Sequence, residues 1–96
     1  MANKMKRIEI VANQSIQEEI LMGIETVVPD IRYTLLPVVH GKGGDDRKLG
    51  TTTWPETNFL LISYVANADA EKIMQEIENV KKQFPSEGLM VFSISC

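Results

Sequence analysis

The stretch TNFLLISYV, residues 57–65, decides the fold because its composition is that of a strand buried on both sides. Four apolar residues, FLLI at 59–62, follow one another at its centre. A strand with one face in water would alternate apolar and polar residues instead. We therefore expect residues 57–65 to form an inner strand of a sheet, or a strand whose second face meets another copy of the chain.

The residues after this strand predict a helix, a turn and a further strand. The helix can start at Asn67 or Asp69, since both are favourable N-cap residues. Residues 85–88, PSEG, are typical of a turn, and residues 89–95 of a short strand. The apolar residues of the helix are spaced at three and four, which places them on one stripe: Ala70, Ile73, Ile77, Val80 and Phe84.

Two more strands are predicted nearer the N-terminus. Residues 6–12 alternate between apolar and other residues, which is the period of a strand. Residues 31–39 are rich in Leu and Val, but Pro37 cannot donate a hydrogen bond to a neighbouring strand. The second strand therefore lies at a sheet edge or contains a bulge. The apolar residues of the first strand share one face: Ile8, Ile10 and Ala12.

A helix is predicted between these two strands. Ser15 and Glu18 have the spacing of a capping box, so the helix should begin near Ile16. Pro29 and Asp30 end it, because the residue before a proline avoids the helical conformation. Six apolar residues make one stripe along it: Ile16, Ile20, Leu21, Ile24, Val27 and Val28.

The order of the elements is strand, helix, strand, strand, helix, strand, which is the βαββαβ order of the α+β ferredoxin-like fold. Right-handed crossovers place both helices on one face of a four-stranded antiparallel sheet. The first and third strands are then inner strands, and Pro37 lies on an edge strand, as it requires. The 96 residues suffice for a single domain, residues 1–96.

Two helices cover only one face of such a sheet. On the other face we expect Val11, Leu61 or its neighbours, and one set from Leu89, Val91 and Ser93. The third strand is too apolar for a face in water, so we expect other copies of the chain to cover it. A homotrimer, a ring of three, would do so.

Composition and charge narrow the function. Hydrophobic residues make up 44% of the chain and charged residues 24%, which is typical of a globular protein. The net charge of −3 argues against a nucleic-acid partner held by a general positive field. Cys96 is the one cysteine, so no internal disulfide is possible. Residues 1–7 are not followed by an apolar leader or a membrane span, and we expect a soluble cytoplasmic protein.

Residues 40–56 form the one long irregular segment, and such segments are usually functional or disordered. Its glycines let backbone amides approach a ligand closely, and its cations add positive charge among them. The segment is therefore a candidate cradle for an anion, although a flexible, solvated hairpin would have the same composition. The residues that would bind the anion are Gly41, Lys42, Gly43, Gly44, Arg47, Lys48 and Gly50.

The end of this segment adds three candidate ligand-binding residues. Trp54 precedes a proline that fixes the local backbone, and its ring can stack on a base or anchor the segment to a subunit surface. Glu56 and Asn58 point the same way if the third strand has begun there, because alternate residues share a face. They can bind a ligand or hold the backbone of the segment.

These residues resemble those of the PII-like signalling proteins, related to the nitrogen regulatory PII family. The resemblance covers all six elements and rests most on VVHGKG at 38–43 and WPETNF at 54–59. It implies a non-enzymatic trimer that binds a nucleotide or another small effector in clefts between subunits. It also implies that residues 41–56 correspond to the T-loop, through which family members contact partner proteins.

The sequence departs from PII proteins proper at residues 83–88, QFPSEG, where that family has a basic, glycine-rich turn that holds phosphates. The segment is also shorter than a T-loop and lacks the tyrosine that some members modify. The effector therefore stays open between an adenine nucleotide held in another way, bicarbonate, and none.

Two other functions have weaker support in the sequence. One is a divalent-metal-binding trimer that resembles the CutA proteins, although the sequence has no paired ligand spacing such as Cys-x-x-Cys. An enzyme could use His40 with Asp45 or Glu56 as an acid–base pair, but no nucleophile or carboxylate pair has a defined geometry, and we expect no catalytic residue. The possible metal ligands are His40, Asp45, Asp46, Glu56 and Cys96.

Overall fold

A computed structural model describes residues 4–39 and 57–96 of the chain. Within these ranges the chain forms four strands, two α-helices and one 3-10 turn. In chain order they are β1 (Met5–Asn13), the 3-10 turn (Gln14–Ile16), α1 (Gln17–Val27), β2 (Thr34–Val39), β3 (Asn58–Ala66), α2 (Asn67–Gln83) and β4 (Leu89–Ser95).

The sheet has the strand order β2-β3-β1-β4, with each neighbouring pair antiparallel. The first and third strands are therefore the inner ones, and the predicted α+β ferredoxin-like arrangement is confirmed. Pro37 lies on the edge strand β2, where the pairing with β3 shifts register between Leu36 and Val39. The proline thus has both features that its missing N–H predicts, an edge position and an irregular ladder.

Strand β2 is shorter than the predicted range of residues 31–39. It begins at Thr34 because the backbone before it bonds elsewhere. The N–H of Ile31 donates to the carbonyl of Val28 at 3.0 Å, and the carbonyl of Arg32 accepts from the Ser63 hydroxyl at 2.6 Å. These bonds replace a strand ladder at the start of the predicted range.

The core lies between the helices and one face of the sheet, which we call the covered face. Ile8, Ile10 and Ala12 of β1 are buried there, beside Phe59 and Leu61 of β3. The predicted stripes of both helices pack onto this face, because the helical period brings their apolar residues to one side. The buried helix residues are Ile20, Ile24, Ala70, Ile73, Ile77 and Val80.

The predicted helix starts are confirmed, since α1 begins at Gln17, next to Ile16, and α2 begins at Asn67, but the predicted caps are wrong. The Ser15 hydroxyl donates to Glu87 instead of capping a helix, and the side chain of Asn13 accepts the Ser15 N–H at 2.9 Å. Helix α2 begins directly after β3 with Ala66 at the N-cap position, so neither Asn67 nor Asp69 caps it. Tertiary contacts and a short connection have replaced the local caps.

Neither helix in the described residues is long and apolar enough to cross a membrane.

Candidate functional site

Asn58 is the one predicted effector-binding residue that lies within the described residues, where it is the first residue of β3. Its strand neighbours are Val39 of β2 and Asn13 of β1. The other predicted ligand-binding residues lie outside the described residues: Gly41, Lys42, Gly43, Gly44, Arg47, Lys48, Gly50, Trp54 and Glu56.

The 3-10 turn after β1 holds the backbone on both sides of residues 40–56. The backbone N–H of Gln14 donates to the carbonyl of Thr57 at 2.9 Å. The side-chain amide of Gln14 donates to the carbonyl of Pro37. One residue therefore fixes both flanks, and we call Asn13, Gln14, Pro37, Thr57 and Asn58 the loop base.

The turn before β4 joins the same end of the sheet. The N–H of Asn13 donates to the carbonyl of Gly88 at 3.1 Å, and the Ser15 hydroxyl donates to the carboxylate of Glu87 at 2.8 Å. Glu87 is itself placed by its N–H, which donates to the carbonyl of Phe84 at 3.1 Å. The 3-10 turn thus ties this turn to the loop base.

The electrostatics of this end follow from those contacts. Among the described residues that these hydrogen bonds join, Glu87 is the charged one, and its charge is negative. The N–H groups named above already bond within the chain, and among the described residues of this framework no cation is present to compensate an anion. The positive charge that an anion needs would have to come from another source, such as Lys42, Arg47 and Lys48 in the sequence.

Sequence reasoning missed Gln14 and Glu87. The tripeptide NQS at 13–15 predicts a break after the first strand, but it does not show which side chain reaches Pro37, 23 residues away. Glu87 lies 72 residues from Ser15, so no local pattern predicts their bond. The polar, non-helical composition of both turns is the signal that could have marked them as candidates.

The second feature of functional interest is the sheet face that the helices leave bare, which we call the open face. Its apolar members come from all four strands, and several large ones are exposed, including Met90 and Phe92. Strand pairing aligns them in rows across the sheet. The large apolar and aromatic members are Met5, Val11, Leu36, Leu60, Ile62, Tyr64, Met90, Phe92 and Ile94.

The residue of β1 that we expected on the open face does lie there, but the residues of β4 that we expected there do not. Val11 lies on the open face opposite Leu60, whereas Leu61 is fully buried in the core. Leu89, Val91 and Ser93 lie on the covered face, because β4 pairs them with Ala12, Ile10 and Ile8. Residues 89–95 are apolar at both parities, so only this register decides which set faces the helices.

A charged cluster interrupts the open face. Arg7 donates from Nε to the Glu9 carboxylate at 2.6 Å and from a terminal nitrogen to the Tyr64 hydroxyl at 2.8 Å. The guanidinium carbon lies 5.7 Å from the centre of the Tyr64 ring. The Glu9 hydrogen bond is the main cause that raises the pKa of Arg7 above its usual value. We call Arg7, Glu9 and Tyr64 the polar cluster.

The metal hypothesis depends on residues that are largely outside the described ranges. Four of its five possible ligands, His40, Asp45, Asp46 and Glu56, lie there, and the fifth, Cys96, is exposed. Within residues 4–39 and 57–96, no three His, Cys, Asp or Glu side chains are close enough to hold one ion together. The metal hypothesis therefore stays a prediction.

The whole chain is similar in structure to solved PII-like proteins. A PII-like signalling protein from Thermus thermophilus superimposes with a TM-score of 0.68 at 20% identity, over 98% of this chain and 88% of that one. CPII from Thiomonas intermedia K12, bound to ADP and bicarbonate, has a TM-score of 0.67 at 16% identity, over 97% of this chain and 88% of that one. The GlnK–ATP complex of B. subtilis has a TM-score of 0.65 at 18% identity, over 98% of this chain and 84% of that one.

No family model matches the sequence, and no curated protein sequence matches it. The likeness is therefore one of fold, at 16–20% sequence identity. On this structural ground the predicted resemblance is confirmed: the chain has the fold of the PII-like signalling proteins.

Proposed function

We propose that the chain is a cytoplasmic regulatory protein of the PII-like kind, and not an enzyme, which binds a small anionic effector. The observation that carries the proposal is the fold, which matches PII-like proteins over 97–98% of the chain. Of those proteins, CPII was solved with ADP and bicarbonate, and GlnK was solved with ATP. The effector we propose is accordingly an adenine nucleotide or bicarbonate.

The proposed assembly is a homotrimer in which the open faces of three copies meet. Leu36, Met90 and Ile94 are between 43% and 56% exposed, and such an apolar patch marks a protein-interaction surface. The covered face already buries its apolar residues under α1 and α2. A closed ring of three copies removes every open face from water.

The proposed effector site lies in the clefts between subunits, beside residues 40–56. The flanks of this segment are fixed by Gln14, which supports a defined position for its ends. Since Glu87 is the charged residue in the described hydrogen bonds there, we assign the cationic role to Lys42, Arg47 and Lys48. The neighbouring glycines would supply backbone amides, and Trp54, Glu56 and Asn58 would complete the site.

The proposed signal is a change in the population of arrangements of this segment. An effector that binds one arrangement better than the others shifts the population toward it. A partner protein that contacts the segment then responds to the shift, which is a known type of molecular switch. The loop base would hold the two flanks in place while the segment between them responds.

A thermal-shift screen tests the effector. The folded protein is heated with ATP, ADP, AMP, bicarbonate, inorganic phosphate, zinc or copper, and a ligand that binds only the folded state raises the midpoint. We expect an adenine nucleotide or bicarbonate to raise it, and the double variant Lys42→Ala/Arg47→Ala to lose the shift. Lys72→Ala/Lys82→Ala removes the same charge from exposed positions of α2 and should keep it.

Two outcomes would contradict the proposal. If none of the anions raises the midpoint, the segment is not the site of such an effector. If only zinc or copper raises it, the divalent-metal function replaces the anion function, and His40, Asp45, Asp46, Glu56 and Cys96 become the residues to change.

A further inference from the structure

The open face contains a charged pair where an apolar interface would be expected to contain none. Arg7 and Glu9 lie on the inner strand β1, with β3 on one side and β4 on the other. The strand neighbours of Arg7 are Tyr64 and Ile94, and those of Glu9 are Ile62 and Phe92. The pair is therefore inside the apolar surface rather than on its rim.

The pair is already partly removed from water within one copy. The side chain of Arg7 is 36% exposed and that of Glu9 is 27% exposed, and a single guanidinium bonds both Glu9 and Tyr64. Covering the open face removes most of the remaining water from these groups. Two charges without water are tolerated only where each keeps its hydrogen-bond partners.

Charge also indicates which partner covers the face. The open face is neutral because Arg7 and Glu9 compensate each other, so identical faces can meet without repulsion. Helix α1, on the opposite side, carries Glu18, Glu19 and Glu25 and no basic residue, so two copies that met there would oppose like charges. The open face is thus compatible with a second copy of itself, whereas the surface of α1 is not.

Residues 40–56 of the same chain have the wrong composition to cover it. Their large apolar residues are Leu49 and Trp54, and the remainder are mostly glycine, threonine and charged residues. A stretch with so little apolar area cannot replace water over a patch drawn from four strands. A second copy, which brings an equally apolar face, can do so.

We infer that the polar cluster of Arg7, Glu9 and Tyr64 is the specificity element of subunit packing, which selects one arrangement of the copies. Apolar contacts alone permit many relative positions of two flat faces with similar energy. In a shifted arrangement the charged pair would meet Leu60, Met90 or Phe92 of the other copy without a compensating group, at a large cost. Buried polar residues are known to fix register and subunit number in this way. The inference rests on the proposed homotrimer.

Native mass spectrometry of four proteins tests it: the natural chain, Arg7→Met, Arg7→Met/Glu9→Leu, and the control Lys81→Met/Glu78→Leu. The control removes an ion pair of 3.8 Å that lies on α2, away from the open face. Circular dichroism confirms that each protein is folded.

We expect the natural chain and the control to give one species, the trimer. Arg7→Met leaves Glu9 without its partner in the interface and should weaken association by at least about tenfold. Arg7→Met/Glu9→Leu should recover association but give more than one oligomeric species, because the apolar faces no longer select one arrangement.

The outcomes separate the inference from the proposed assembly. A natural chain that is monomeric at all concentrations overturns the homotrimer itself. A trimeric natural chain whose Arg7→Met/Glu9→Leu variant is an equally uniform trimer overturns only the role of the polar cluster. If Arg7→Met does not fold, Tyr64→Phe is the second test, because it removes one bond to Arg7. A Tyr64→Phe variant that is as uniform and as tightly associated as the natural chain overturns the inference.

Discussion

The two faces of the sheet are nearly equally apolar, but only one of them is buried within the chain. On the covered face, Ile10 and Leu61 are fully buried beneath the helices. On the open face, the adjacent residues Val11 and Leu60 are only half-buried, although they are as hydrophobic. The inner strands have apolar residues on both faces. One face is buried when the chain folds, and the other, we propose, is buried when the copies assemble.

The polar residues of the two faces differ in the same way. Ser63 is the buried polar residue of the covered face, and its hydroxyl donates to the Arg32 carbonyl, so folding alone satisfies it. Arg7 and Glu9 satisfy each other on the open face but stay partly exposed to water. Folding completes the environment of Ser63, whereas in the proposed homotrimer a neighbouring copy would complete the environment of Arg7 and Glu9.

Two adjacent leucines of β3 provide the largest contrast. Leu61→Ala should lower the free energy of unfolding by about 2–5 kcal/mol, because it leaves a cavity in the core. Leu60→Ala removes the same atoms from the open face, so its main effect should be on association. Urea unfolding at two well-separated protein concentrations distinguishes them, since stability that comes from association depends on concentration.

These two variants can also contradict the proposed difference between the two sheet faces. If the loss caused by Leu60→Ala is as large as that of Leu61→Ala and does not change with concentration, the open face contributes to the core of the single chain. The proposal that copies of the chain cover it would then lose its basis.

A charge on the open face should separate assembly from folding. Phe92 is 44% exposed on β4, and Phe92→Glu adds a carboxylate that an apolar interface cannot accommodate without a cost of several kcal/mol. We expect the mass in sedimentation to fall to that of one chain while the circular dichroism spectrum is unchanged. Asn79→Glu adds the same charge to an exposed position of α2 and should leave the mass unaltered.

The sequence predicted what local patterns determine and missed what distant contacts determine. The alternation of Ile8, Ile10 and Ala12 and the edge position of Pro37 follow from burial and from a missing N–H, and both are confirmed. The capping box failed because Ser15 lies within the 3-10 turn, whose N-cap is Asn13, and the Ser15 hydroxyl donates to Glu87, 72 residues away. No local pattern could have predicted the bond to Glu87.

The site was less predictable than the fold. Apart from Asn58, the predicted ligand-binding residues lie in 40–56, outside the described ranges, and their roles stay predictions. Gln14 was missed because its role depends on Pro37 and Thr57, which the sheet brings together. The parity of β4 was ambiguous for a related reason: its sequence is apolar on both sides, and only its register with β1 decides.

The serine of the covered face gives a smaller effect. Ser63→Ala removes the donor to the Arg32 carbonyl and should lower the free energy of unfolding by about 1 kcal/mol. Ser93 is a matched control, because both serines flank Ile8 in the strand pairing but Ser93 is only half-buried. Ser93→Ala should change stability by less than about 0.5 kcal/mol. Equal losses for the two variants would mean that the Arg32 bond contributes nothing specific.

The smallest expected effect concerns Tyr33, at the rim of the covered face. Partial burial, followed by the charge of Glu25, raises the pKa of Tyr33 above its usual value. The folded state therefore favours the neutral phenol, and the resulting stability is complete below about pH 10, the ordinary tyrosine pKa. It is lost as the pH rises through the higher pKa of the folded state.

Tyr33→Phe should accordingly lose stability less steeply than the natural chain above about pH 10, measured as the urea midpoint against pH. Glu25→Gln keeps the tyrosine but removes the second cause of the shift, so its curve should lie between the other two. An intermediate curve that lies nearer the curve of the natural chain supports burial as the larger cause. If the curve of Glu25→Gln instead coincides with that of Tyr33→Phe, Glu25 is the whole cause of the raised pKa, and burial of Tyr33 contributes nothing to it.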